Sequence, residues 1–285
     1  MDIKTLVLLA AKVSILSTVF SFGLHTTGHE ILYLTRRPGL LARSLLSMLV
    51  VVPLIALALD LTFILRHTLE VALMALAISP VPPLLPNRES KSGGNEGYAL
   101  GLMALLGLLA IVTVPLSTNI LQRVFNRPLA VPPAAIAKAV FVAILLPLGA
   151  GMLVRALFPA LASRLEKPVS LIGKVLLLLA ALVALAGSWR AVAATLGDGT
   201  LIALVAFVAL ALIAGHVLGG PDPDHSVVLA LSSACRHPAI ALSIATLNFA
   251  DEHFAGTILL YLIVNFIVGG VYVAWQRRRA PAVAT

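Results

Sequence analysis

Long apolar runs separated by short polar punctuation dominate this chain. Roughly 20 apolar residues cross the ~30 Å hydrocarbon core of a bilayer. By that measure the pattern predicts nine spans, at about 3–24, 38–59, 67–86, 97–121, 136–158, 168–188, 199–219, 226–249 and 254–275. Two of them are interrupted, the third by Ser79-Pro80-Val81-Pro82-Pro83-Leu84-Leu85-Pro86 and the eighth by Ser232-Ser233-Ala234-Cys235-Arg236-His237-Pro238. Backbone groups without partners in hydrocarbon cost several kcal/mol each, so a break is tolerated only where it lines a cavity or is covered by protein. The broken spans, near 67–86 and 226–249, lie five helices apart, and an odd offset makes the two halves enter the membrane with opposite polarity. An inverted repeat requires that arrangement, and paired breaks of this kind point to a transporter site at the bilayer midplane.

Proline and glycine refine the picture. Pro38, Pro132, Pro133 and Pro168 are read as span starts, where a missing N–H does no harm, whereas Pro53, Pro115 and Pro147 fall inside spans and should kink them. Gly101, Gly107, Gly149, Gly151, Gly269 and Gly270 read as positions of close helix packing. The longest polar connection, residues 87–97, is too short to fold alone, so residues 1–285 read as a single integral membrane domain.

Composition agrees. With 60% hydrophobic and 11% charged residues and a mean hydropathy of +1.05, the chain departs from soluble proteins, where about a quarter of residues are charged. The net charge of +8 would suggest a polyanion partner in a soluble protein. Here Arg and Lys sit mainly between apolar runs, where they set orientation, and nucleic acid is excluded as a partner. Arg36, Arg37, Arg88, Lys91, Arg155, Arg164, Lys167 and Arg277–Arg279 would share one side; Lys4, Arg66, Arg123, Arg127, Lys138 and Arg190 would share the other. That excess places the amino terminus outside and the carboxyl terminus in the cytoplasm of a plasma (inner) membrane. The run from Ile3 to Leu24 is too long for a signal core and is read as a retained span. The one cysteine, Cys235, allows no internal disulfide and no multi-thiolate metal site.

The chemistry concentrates at the second break. Arg236 falls at membrane depth, where a guanidinium is costly and nearly always faces a cavity or a partner. A purely structural pairing would need a buried carboxylate, and Asp60, Glu70 and Asp251 all lie near span ends. The planar fork suits a carboxylate, sulfonate or phosphate, so Arg236 is the first candidate for binding an anionic solute. Beside it His237 can hydrogen-bond the solute or satisfy carbonyls freed by the break. Ser232 and Ser233 supply hydroxyls. Pro82 and Pro83 remove donors from the first break and turn neighbouring carbonyls toward a cavity, the alternative being a plain kink. Cys235 reads as a small buried apolar residue.

Gly23-Leu24, the Pro38 to Pro53 helix after a basic loop, Ser79-Pro80 at the first break and Ala234-Cys235-Arg236-His237-Pro238-Ala239-Ile240-Ala241-Leu242 at the second together resemble the bile acid:sodium symporter family. The resemblance implies a panel domain and a core domain, with the two broken helices crossing in the core beside the substrate path. It also exposes departures. The family's first crossover carries a Ser and an Asn that help hold sodium; Leu85 and Pro86 stand in those places here. Hydroxyls of the next helix fall at Ala99 and Met103, and a glutamine of the preceding helix falls at about Leu49. The family's ion-binding Glu and Gln align with Ser232 and Arg236. By this alignment the sodium ligands are lost.

The resulting expectation is an all-α polytopic membrane protein acting as a secondary active transporter of a small organic anion by alternating access. No cofactor is implied, and the partners are the solute, the lipid bilayer and a coupling ion, either proton or sodium. The alternatives are a sodium-dependent symporter with a rearranged ion site, built from Ser79, Ser232 or Ser233 and freed carbonyls, or a membrane-embedded enzyme. No nucleophile–base set, metal cluster or paired carboxylates occur at membrane depth to support the latter, and no filter motif suggests a channel.

Overall fold

A computed structural model describes residues 3–63, 65–125, 132–197, 199–249 and 254–279. Arg127 and Asp251, named above from the sequence, lie outside the described residues. The secondary structure among those described is helical throughout: α1 Ile3–His25, α2 Gly28–Ile31, α3 Pro38–Leu46, α4 Val52–Thr62, α5 His67–Ile78, α6 Leu85–Lys91, α7 Glu96–Phe125, α8 Pro133–Val140, α9 Leu146–Leu157, α10 Pro159–Ala194, α11 Thr200–Gly219, α12 Pro223–Ala234, α13 Pro238–Asn248 and α14 Ala255–Arg279. The protein is an all-α polytopic membrane protein, with leucine-rich helix faces such as Leu6, Leu178 and Ile213 turned outward where lipid would lie.

Two of the expected proline kinks take a specific form. Pro53 follows a π-helical turn at Ser47–Val51 that joins α3 to α4, and Pro147 follows another at Phe141–Leu145 that joins α8 to α9. A proline cannot donate to the carbonyl four residues back and its ring presses against that carbonyl, so a widened turn ahead of it relieves both problems. Pro38 and Pro133 stand at first helical positions as expected. Pro168 does not: Pro159 takes the start, and α10 runs through Pro168 to Ala194 because the intervening Ala160-Leu161-Ala162-Ser163-Arg164-Leu165-Glu166-Lys167 is rich in good helix formers. Gly151 sits against Gly23 of α1, where a side chain would strike backbone. Gly149 and Gly270 meet open space instead of packing helices, because they lie on outward faces.

By length and apolarity seven helical segments can cross a membrane among the described residues, or eight if α10, bent by 47°, counts as one span. The expected nine is therefore too many by this measure. The shortfall lies in the third span, which divides into the 12-residue α5 and the 7-residue α6, each too short alone. The loop contacts show that the two nonetheless traverse the bundle together. At one end His25 meets Glu96 at 2.7 Å, Tyr33 meets His225 at 2.7 Å, the Asn95 amide reaches the Asp224 carbonyl, and Arg277 donates to the Lys91 carbonyl at 2.9 Å. At the other end the His67 and Phe249 rings lie 4.9 Å apart, and Gly256 rests on Ala191. Thus α5–α6 runs from the second end to the first, and α12–α13 runs the opposite way.

Packing separates the helices into two groups. α1 lies along α9 and α10, and a small apolar cluster of Val19, Phe22, Leu100, Met103, Ala104, Ile144 and Leu148 joins this group to α7. The larger core surrounds α5, α7, α11 and α12. α5 is buried on every side from Val71 to Ile78, as a half-helix at the centre of a bundle must be.

Candidate functional site

The helix α5 stops at Ile78 because Ser79 turns away and Pro80 cannot donate. Ser79 closes the last turn with both its amide and its hydroxyl on the Leu76 carbonyl, at 3.0 and 2.8 Å. The chain resumes as α6 after the Pro82–Leu84 turn, where the Leu85 amide finds the Pro82 carbonyl. Across the bundle α12 ends at Ala234, and three residues later α13 begins with Pro238 at its first position and His237 as its cap. The His237 Nδ1 accepts from the Ile240 amide.

The two breaks touch. The His237 amide donates to the Pro80 carbonyl at 2.9 Å, and the Arg236 side chain passes beneath it to the end of α5. Its Nε donates to the Leu76 carbonyl at 3.2 Å and its Nη2 to the Ala77 carbonyl and, at 3.2 Å, to the Met48 carbonyl. Nη1 faces the Met48 Sδ at 3.4 Å. Arg236 is 2% exposed, the largest fully buried side chain among the described residues. No carboxylate takes part in these bonds: the cation is held by the Leu76 and Ala77 carbonyls at the C-terminus of α5, where the macrodipole favours positive charge, and by the Met48 carbonyl of the π-helical turn. The second break is tied down from α14. Tyr261 Oη accepts from the Arg236 amide at 2.6 Å and donates to the Ala234 carbonyl at 2.7 Å, and Asn265 Nδ2 donates to the same carbonyl at 2.8 Å. The break and the guanidinium thus give partners to the Ala234, Leu76, Ala77 and Met48 carbonyls and to the Arg236 amide.

Arg236 also lines a small pocket with Met48, Leu49, Ile78, Ser79, Pro80, Leu106, Ala110 and Thr113. Its volume of about 10 Å³ is room for about one water, so an organic solute requires the surrounding helices to move apart. Pro82 and Pro83 are not among the residues lining it.

The two serines face a different neighbour. Ser233 Oγ meets Ser47 Oγ at 2.8 Å, and Ser232 Oγ donates to Glu89 Oε1 at 2.6 Å. Glu89, on α6, is fully buried, and its second oxygen, Oε2, has no hydrogen-bond partner. The sequence reading missed Glu89 because residues 87–97 are polar enough to pass for a surface loop; the available signal was that it lies within two helical turns of the first break. The positions aligned with sodium ligands, Leu85, Ala99 and Met103, are buried apolar side chains that offer no oxygen.

The sequence model of the Sodium Bile acid symporter family matches residues 13–195, which run from within α1 to the end of α10 and include the first break but not the second. No curated protein matches the chain.

Proposed function

The chain belongs to the sodium bile acid symporter family, and from that premise we propose that it carries a small organic anion by alternating access at the crossing of its two breaks, without sodium as the driving ion. Residues 1–285 act as one transporter unit, with the amino terminus outside and the carboxyl terminus in the cytoplasm of a plasma membrane. Membership accounts for a membrane transporter of this kind; the solute class and the missing sodium requirement rest on Arg236.

The observation that carries the reading is the guanidinium on the end of α5. In carriers built from broken helices, half-helix C-termini and unwound carbonyls are where a coupling cation gathers. Here Leu76, Ala77 and Met48 offer such carbonyls, and Arg236 already supplies the positive charge. Arg236 lines the pocket together with Ser79 and Thr113, a polar edge suited to a carboxylate or sulfonate once the helices part. His237 serves the same crossing by capping α13, and Ser232 and Ser233 by tying α12 to Glu89 and Ser47, while Pro82 and Pro83 shape the approach of α6.

Counterflow in proteoliposomes tests the carrier reading, because only a carrier exchanges labelled for unlabelled solute. Vesicles preloaded with unlabelled cholate, or with another organic carboxylate or sulfonate, should transiently concentrate the labelled compound. Absence of counterflow across such a panel of anions, with counterflow of a neutral or cationic solute, would overturn the assignment.

A further inference from the structure

We propose that Glu89, held by Ser232, is a proton-binding site in the core of the protein, occupied and vacated as the broken helices move. The inference rests on the carrier reading for its role in a cycle, but the site itself is argued from the residues alone.

Glu89 is the only acidic side chain buried among the described residues. One carboxylate oxygen accepts from Ser232 Oγ at 2.6 Å, and the other is enclosed without a partner. A buried carboxylate that is merely structural is expected to have both oxygens satisfied, since an unpaired polar atom costs about 1–3 kcal/mol and a charge more. The nearest cation does not meet that need: Arg88, its neighbour on α6, directs its guanidinium to Asn265 and the Phe266 carbonyl of α14. The other ionisable groups facing Glu89 are Tyr98 from α7 and Cys235 after α12. Farther along the same elements, His225 is engaged by Tyr33 and Asp222, and Arg277 by the Lys91 carbonyl. None donates to Oε2.

A proton is the ligand that this geometry fits. A hard cation needs a cage of oxygens, whereas the side-chain partner shown for this carboxylate among the described residues is Ser232, and Oε2 has no hydrogen-bond partner. A proton needs one oxygen. It would bind at Oε2, neutralise the carboxylate, and leave from the same atom as H⁺, restoring the anion. The location gives it leverage, because Glu89 belongs to the second half of one broken span and Ser232 to the first half of the other. Any sliding of α6 against α12 changes the Ser232 bond and the access of water to Oε2 together.

The test needs no solute. The full chain, reconstituted in lipid vesicles, is titrated by infrared difference spectroscopy, reading the C=O stretch of a protonated buried carboxyl. The wild type should show a band that is lost as pH rises, and Glu89→Gln should lack it at every pH. Ser232→Ala retains the carboxyl and should displace the band, which keeps the assignment testable if the Gln variant does not fold. Replacing choline by sodium at fixed pH should leave the band unchanged. A band present in Glu89→Gln, no band in the wild type at any pH, or loss of the band on adding sodium would each overturn the proposal. Failure of counterflow with an intact band would instead count against the carrier reading alone.

Discussion

The amide of His237 donates to the carbonyl of Pro80 at 2.9 Å, so the two interruptions of the membrane helices are bonded to each other through backbone. Each break exposes polar groups that hydrocarbon cannot satisfy, and pairing them places both at one point in the protein interior. Arg236, its neighbour in the chain, then reaches the Leu76 and Ala77 carbonyls at the end of α5. The guanidinium is consequently both a fastening and a fixed charge at the crossing.

Truncating that fastening should be costly. Arg236→Gln cannot bridge Leu76, Ala77 and Met48 at once, and each lost bond from a charged donor is worth about 1.5–3 kcal/mol. Thermal unfolding in detergent, followed by tryptophan fluorescence, should shift clearly downward. Arg236→Lys should recover part of the loss, because an ammonium supplies charge but not the planar fork. An unchanged midpoint in the Gln variant would show that the carbonyls are satisfied in another way.

Tyr261 offers a cleaner deletion. Its hydroxyl serves both the Arg236 amide and the Ala234 carbonyl, and Asn265 covers only the second. Tyr261→Phe should destabilise by about 1–3 kcal/mol, the usual effect of leaving a buried partner unsatisfied. Combining it with Asn265→Leu should cost more than the sum of the two, since the Ala234 carbonyl then has neither donor. A double-mutant cycle on the unfolding midpoints measures this.

Helix approach supplies a paired test with its own control. A side chain at Gly215 would run into the Leu229 carbonyl and Ala230 of the neighbouring helix, whereas one at Gly149 would meet nothing. Gly215→Val should therefore sharply reduce the yield of monodisperse protein in size-exclusion chromatography, and Gly149→Val should leave it near wild type. Equal tolerance would mean that α11 and α12 do not pack this closely.

Orientation is tested by fusion. A reporter active only in the cytoplasm should be active after Thr285 and inactive when inserted near Asn126, a position outside the described residues. Residues assigned to the inner side from charge, including Lys91, Arg155 and Arg277, do gather at one end of the bundle. The reverse pattern of activity would contradict the direction assigned to that end.

Much of the fold was legible because a bilayer imposes long apolar runs, and breaks in them stand out as Ser79-Pro80 and Arg236-His237-Pro238 do. The depth of Arg236 could be read for the same reason. Its partners could not, because Leu76, Ala77 and Met48 contribute carbonyls that any residue carries. Glu89 escaped notice for the opposite reason: its polar neighbours Asn87, Arg88, Ser90 and Lys91 conceal that one face of a two-turn helix is buried. The π-helical turns ahead of Pro53 and Pro147 left no sequence mark beyond the prolines, and the start of α10 was misplaced because Pro159 and Pro168 are equally good openings until packing chooses between them.

In the proposed mechanism Arg236 is a fixed cation where a mobile one would otherwise be needed. At an effective dielectric of about 20 and a separation of ~4 Å, repulsion between Arg236 and an incoming cation is of order 4 kcal/mol, equivalent to roughly three decades of affinity. The direct measurement is uptake of a labelled organic anion that supports counterflow, for example cholate, into proteoliposomes as external sodium is varied against choline or potassium at constant ionic strength. Initial rates should not change with sodium; a saturable rise with sodium would contradict the proposed role of Arg236.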